Sequence, residues 1–245
     1  MSPSSGTPAM TAHDEATVSR PAAHLLLLES RVWAELGWLA VRSRRLTAQL
    51  PRGDGHAVLI VPGFGASDLA TAPLRSLLKK LGYAAYGWGL GANLGMRPAI
   101  KQAMGLQLHK LAERHGPVSL IGWSLGGVYV REMARHAPEQ VRRVMTLGSP
   151  INVRPDANNL MPVFQLINRG KPVKVDLEGF RKRIAPPPVP CTAIYTRSDG
   201  IVAWRCCQEP EAPNTENVEV RGSHLGLVYN ARAIRAIAER LARPG

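Results

Sequence analysis

A chain of 245 residues with 45% apolar and 20% charged positions can bury a sizeable core, and an α/β fold of this length is commonly one domain. That composition excludes fibrous, repetitive and low-complexity classes. The formal net charge of +13 comes mainly from arginine spread along the chain, without a compact basic tail or interleaved aromatics. It therefore argues against nucleic acid, and suits solubility or peripheral contact with an anionic membrane surface.

Residues 1–20 are rich in Ser, Thr, Ala and Pro and lack a basic start followed by an apolar core. They read as a disordered tail rather than a signal peptide, and a cytoplasmic location is the expectation. Residues 22–41, with the run LLLLESRVWAELGWLAV, predict a helix that three charges interrupt too often for a membrane span. Arg31, Glu35, Trp38 and Arg42 fall on one narrow stripe, while Leu25, Leu28, Val32, Leu36 and Leu39 form an apolar face that something must cover. The domain itself, a second copy, an active-site flap or a membrane surface could cover it. This helix and its linker, 21–55, precede a domain expected over 56–245.

After the turn-rich Pro51-Arg52-Gly53-Asp54-Gly55, HAVLIVPGFGASD reads as a continuous apolar strand ending in a glycine loop, the pattern of a central parallel strand. Leu74, Leu77, Leu78 and Leu81 mark a helix stopped by Gly82, followed by the strand-like YAAYGWGL and a loop at 91–95. Ile100, Met104, Leu108 and Leu111 stripe the next helix, which ends before Gly116-Pro117.

Val118, Leu120 and Ile121 are β-prone, whereas Val128, Tyr129, Met133 and Ala137 recur at helical spacing. Between them lies Gly122-Trp123-Ser124-Leu125-Gly126. A G-x-S-x-G run on a sharp strand-to-helix turn is a nucleophile elbow: the glycines lack the Cβ atoms that would collide with strand and helix, and the serine hydroxyl points out of the sheet. Roughly 0.1 such runs are expected by chance at this composition, so the flanking strand and helix carry the reading.

A serine hydroxyl is a poor nucleophile at neutral pH. It needs a base to take its proton and an acid to hold that base in the right tautomer. Strands follow at 141–147, in CTAIYTRSDGIV and in NVEVRGSH, before a terminal helix marked by Ile234, Ile237, Ala238 and Leu241. Asp199 and His224 each follow a strand, on the sheet edge where parallel strands emerge with Ser124. Asp156, after the preceding strand, is the competing acid. His56, His109, His115 and His136 read as turn or helix-surface residues.

With these residues in view, the chain from about His56 onward resembles the α/β-hydrolases, of the bacterial esterase and lipase branch. Gly122 to Gly126, Asp199 in TRSDGIV, His224 in GSHLGL and the loop Pro62-Gly63-Phe64-Gly65 carry the likeness. It implies a mostly parallel sheet of about six strands flanked by helices, with Ser124 as nucleophile, Asp199 as acid and His224 as base. It also implies an oxyanion hole from the backbone N–H groups of Leu125 and Phe64. Pro62 stands where the family often has histidine.

Residues 151–190 break the strand-helix rhythm with Asn158, Asn159, Pro162, Gly170, Pro172 and Pro186-Pro187-Pro188, and read as a cap or lid-like insertion. Within it Leu160 and Phe164, with Trp123 of the elbow, are candidate substrate-binding residues. Cys191, Cys206 and Cys207 imply buried thiols without a disulfide framework, and no metal-ligand spacing is present. The expected activity is carboxylic-ester hydrolysis of a small-molecule or lipid ester, without a cofactor. An acyltransferase or thioesterase on the same triad is the alternative, and a non-catalytic lipid- or partner-binding protein is the alternative of another class.

Overall fold

The computed structural model describes residues 20–152 and 183–244. Along them run α1 (Ala23–Leu27), a 3-10 turn (Leu28–Arg31), α2 (Val32–Ala48), β1 (Ala57–Val61), α3 (Asp68–Leu81), β2 (Ala84–Gly87), α4 (Pro98–His115), β3 (Val118–Trp123), α5 (Leu125–His136), β4 (Val141–Leu147), β5 (Cys191–Tyr195), β6 (Thr215–Glu219) and α6 (Ala231–Leu241). The expected tail, Arg20 apart, and most of the expected cap lie outside the described residues.

Strand β1, AVLIV, is buried at every position because both faces of a central parallel strand are covered. Its side chains alternate: Val58 and Ile60 join one cluster with Leu39, Leu46, Leu74, Leu78 and Ile237, and Leu59 and Val61 join another with Met104, Leu108, Tyr129 and Val130. The first layer seats α2, α3 and α6, the second α4 and α5. Each fully buried Leu, Ile or Val contributes about 1.5–3 kcal/mol relative to an exposed one, so this two-sided burial holds the helices to the sheet.

All strand pairs are parallel, in the order β2-β1-β3-β4-β5-β6. The six strands expected are all found, and the sheet is wholly parallel. From β1 the chain first moves outward to β2 and then returns to the other side as β3. The loops after β1 and β3 therefore diverge, and such a switch point leaves a crevice at the carboxyl ends of the strands. Gly82, at φ +105°, ends α3 as expected, and at the start of α6 the Asn230 side chain accepts from Arg232 N and Ala233 N, a cap the sequence reading did not name.

The N-terminal helical segment packs on the domain: of its expected apolar face, Leu39 is buried, Leu25, Val32 and Leu36 are half-buried, and Leu28 is exposed. It runs on to Ala48, and its lower half buries Leu39 and Leu46 as its apolar pattern requires. Glu29 is also buried and Glu35 half-buried, while Leu28 and Trp38 are exposed and Leu27, Trp33 and Val41 are 78%, 74% and 84% exposed. Backbone amides of two loops on the domain need acceptors there, and the acids supply them. No helix among the described residues is long and apolar enough to cross a membrane.

Cys191, Cys206 and Cys207 are buried and form no disulfide, and burial pushes the Cys191 thiol up to about 12, out of nucleophilic range at neutral pH. A buried ion pair fixes the chain where it rejoins the sheet. Arg131 of α5 donates to Glu209 at 2.7 Å and to the carbonyls of Arg183 and Ile184 at 2.9 and 3.0 Å. Burial pushes the Glu209 carboxyl above its usual range although Arg131 opposes it. Glu209→Ala, which strands the guanidinium in the interior, is expected to lower unfolding free energy by about 3–5 kcal/mol in urea titration.

Candidate active site

Ser124 sits between the last residue of β3 and the first of α5 at φ +52°, ψ −121°, the one non-glycine residue with positive φ among the described residues. Such backbone costs about 1–3 kcal/mol and persists only where its surroundings enforce it. Here Ser124 N donates to Leu147 O at 2.8 Å, and Ser124 O accepts from Gly127 N at 3.0 Å. Close backbone approach accounts for the glycines. A Cβ on residue 122 would lie 2.3 Å from Gly127 Cα, and one on residue 126 would lie 2.3 Å from Val61 O. Gly127 belongs to the same requirement, because a Cβ there would meet Ser149 Oγ at 1.9 Å. The motif reading named Gly122 and Gly126 only.

Asp199 follows β5 and His224 follows β6, and the two side chains meet in the interior with Nδ1 to Oδ2 at 2.6 Å, each 1% exposed. The second Asp199 oxygen accepts from Ile201 N at 2.8 Å and Val202 N at 2.7 Å, so the carboxylate is committed on both sides. Burial pushes the His224 imidazole down, but the Asp199 carboxylate, aided by Glu29, outweighs it and holds the ring above its ordinary 6.5. Ser124 and His224 approach each other across the end of β4: Ser124 bonds Leu147, and a Cβ on Gly148 would lie 2.9 Å from His224 Nδ1. No hydrogen bond joins the Ser124 hydroxyl to the imidazole in this arrangement.

Trp123 is 7% exposed and donates its indole N–H to His224 O at 3.2 Å. It braces the histidine loop from within the core, a different position from the substrate-facing one expected. Leu160 and Phe164, and the competing acid Asp156, lie outside the described residues.

The loop after β1 lies against the elbow, with the Cβ position of Gly63 3.1 Å from Ser124 Cβ. Leu125 is the first residue of α5, where an amide has no acceptor within its own helix. Phe64 is half-buried on the facing loop. That loop is held by Asn93, which is fully buried: its side chain donates to Pro62 O at 2.8 Å, its carbonyl accepts from Gly65 N at 2.8 Å, and its amide donates to Ala66 O at 2.8 Å. Asn93 escaped the sequence reading. Its only local signal is a glycine- and asparagine-containing loop.

A second Ser-His-Asp array occupies the opposite edge of the sheet. His56 Nδ1 contacts Asp54 Oδ1, and its Nε2 lies 2.9 Å from Ser119 Oγ. His56 is buried, which corrects its reading as a turn or surface residue. His115 is half-buried and bonded to the Tyr86 hydroxyl at 2.8 Å, whereas His136 is exposed and His109 pairs with Glu113 on the surface of α4. Ser119 is fully buried in β3, at a register shift against β4, so substrate cannot reach it. Burial also keeps the His56 imidazole below 6.5 against the pull of Asp54, the opposite outcome to His224.

Neither a family model nor a curated protein matches the chain. Solved structures do match by shape. A chain from LipS and LipT, two metagenome-derived lipolytic enzymes, superposes with a TM-score of 0.57 at 16% identity, covering 78% of this chain and 94% of that one. A monoacylglycerol lipase of Paleococcus ferrophilus gives 0.55 at 17%, covering 78% and 96%. The thioesterase domain from the curacin biosynthetic pathway gives 0.52 at 15%, covering 79% and 93%.

Replacing Asn93 by alanine leaves the Pro62 carbonyl without its buried donor. Asn93→Ala is expected to cost about 1–3 kcal/mol of stability and to speed amide exchange over residues 63–66 in hydrogen-exchange mass spectrometry. Unchanged exchange there would show that the loop is held by other contacts.

Proposed function

Because the chain has the α/β-hydrolase fold, we propose that it is a serine hydrolase that cleaves carboxylic esters through an acyl-enzyme on Ser124, His224 and Asp199. The observation that carries the proposal is the buried 2.6 Å contact between His224 and Asp199, formed on the sheet edge that presents a strained Ser124. The lipolytic neighbours agree with this reaction class.

Asp199 accepts from Nδ1–H and so directs the Nε2 lone pair of His224 toward the serine. Ser124 Oγ attacks the ester carbonyl as its proton passes to Nε2. The new oxyanion is stabilised by the amides of Leu125 and Phe64, which need no reorganisation because the helix start and the Asn93-held loop already fix them. Collapse expels the alcohol, protonated by His224. Water then attacks the acyl carbon with His224 as base, returning the serine. The Ser124 to His224 hydrogen bond closes in the substrate complex, as such bonds commonly do.

A thioesterase or acyltransferase uses the same steps with a different leaving group or acceptor, and the curacin thioesterase domain among the structural neighbours favours keeping that reading. p-Nitrophenyl esters and acyl thioesters of matched chain length, with glycerol added as acceptor, separate the reactions by product.

A fluorophosphonate probe should label Ser124, and labelling elsewhere or none on folded protein would refute the proposal. Ser124→Ala should lower kcat about 10⁶-fold and Asp199→Asn about 10⁴-fold. If Asp199→Asn retains full turnover and Asp156→Asn loses it, the acid is reassigned. The base must be neutral to accept the serine proton, and its value lies above 6.5. kcat/KM should therefore rise with pH through a midpoint above 6.5 and fall away below it, read from a profile over roughly pH 5–9.

A further inference from the structure

The N-terminal segment reaches both loops that carry the acid and the base. Glu29, in the 3-10 turn between α1 and α2, is 4% exposed. Its Oε1 accepts from Gly200 N at 2.9 Å and from His224 N at 3.0 Å, and its Oε2 accepts from Leu225 N at 2.9 Å. One carboxylate thus bridges the residue after Asp199 to His224 itself. The approach is tight, since a Cβ on Gly200 would lie 2.4 Å from Leu25 O.

Neighbouring residues of the same segment repeat the pattern without touching the pair. Arg31 donates to Ser198 O at 3.3 Å and to Gly222 O at 3.2 Å, and Glu35 accepts from Ser223 N at 3.1 Å and from Asn230 Nδ2 at 3.4 Å. A buried carboxylate is costly to desolvate and must be matched by donors. Among the described residues Glu29 is matched by three main-chain amides and pairs with no cation, so its negative charge stands beside the imidazole.

We propose that Glu29 is a positioning residue for the reaction: it locks the Asp199 and His224 loops in register and adds a second negative charge behind the base. This rests on the reading of Ser124, His224 and Asp199 as the reacting group. His224 gains positive charge when it takes the serine proton, so a fixed anion close to it stabilises that state more than the resting one. Among the described residues, the charged groups facing the imidazole are Asp199 from the loop after β5 and Glu29 from the N-terminal segment. Arg31 and Glu35 stand further out, on Gly222 and Ser223.

The test compares full-length wild type with Glu29→Gln, Glu29→Asp and, as a control, Glu35→Gln, which weakens the same segment without removing a charge from the His224 amide. Carboxylates that orient metal-bound histidines are worth about 10–100-fold, and on that scale Glu29→Gln should lower kcat on a p-nitrophenyl ester about 10–100-fold with KM within about twofold. Its acid limb should move to lower pH, while Glu35→Gln keeps the wild-type limb. Unchanged kcat and limb in Glu29→Gln would overturn the proposal, as would identical losses and limbs in Glu29→Gln and Glu35→Gln.

Should Glu29→Gln be too unstable to assay, Glu29→Asp carries the test. It keeps the charge but withdraws it from the amides, so a several-fold lower kcat with an unmoved limb supports the placement, and wild-type kcat overturns it. If the wild type neither labels nor turns over esters, the hydrolase reading fails by itself. An NMR titration of the His224 ring in Glu29→Gln then decides the matter, a lowered midpoint supporting the role of Glu29 and an unmoved one refuting it.

Discussion

The carbonyl of Val61 lies 2.3 Å from where a Cβ on residue 126 would stand, and this approach of β1 to the start of α5 sets what lies above it. The turn from β3 to α5 is a single residue, Ser124, at positive φ. The same approach brings the loop after β1 against the serine, with Gly63 at its Cβ. Helix start and facing loop then share one crevice because β1 and β3 flank the switch point of the sheet. Strain at the serine is thereby held by covalent geometry and sheet pairing, so no movable side chain needs to maintain it.

Two sets of serine, histidine and aspartate on one sheet sit in contrasting surroundings. At one edge Asp199 is held by two amides, His224 is raised above 6.5, and Ser124 stands at a strained turn beside a helix start. At the other, Asp54 is half exposed, His56 is lowered by burial, and Ser119 is fully buried in β3. A lowered imidazole is a weaker base, and a fully buried hydroxyl meets no ester. The lower array satisfies polar groups beneath the sheet, where Arg142 also pairs with Asp54 at 2.9 Å.

Much of the upper edge was legible in the sequence because its signals are local. The glycines of the elbow, the strand-terminal aspartate and histidine, and Gly82 after α3 each follow from the few residues around them. Glu29 and Asn93 were not legible, because each satisfies main-chain groups of a distant loop and no periodicity marks such a bond. Hydropathy marked part of the N-terminal helix: of its expected apolar face, Leu39 is buried, Leu25, Val32 and Leu36 are half-buried, and Leu28 alone is exposed. Hydropathy did not mark Glu29, which is covered because it accepts from main-chain amides of the domain. His56 was misread for the same reason: its partner Ser119 is distant in sequence, in β3.

Arg143 enters β4 at the edge far from Ser124 and donates to the carbonyls of Arg243 and Pro244 at 2.9 and 2.7 Å. Parallel strands put the two edges of the sheet at opposite poles, so residues 243–244 mark the pole remote from the serine. A tether carried there would fix the molecule to a solid support with its crevice facing outward. The same tether at residue 20 would pull on the segment that holds Glu29 against the histidine loop.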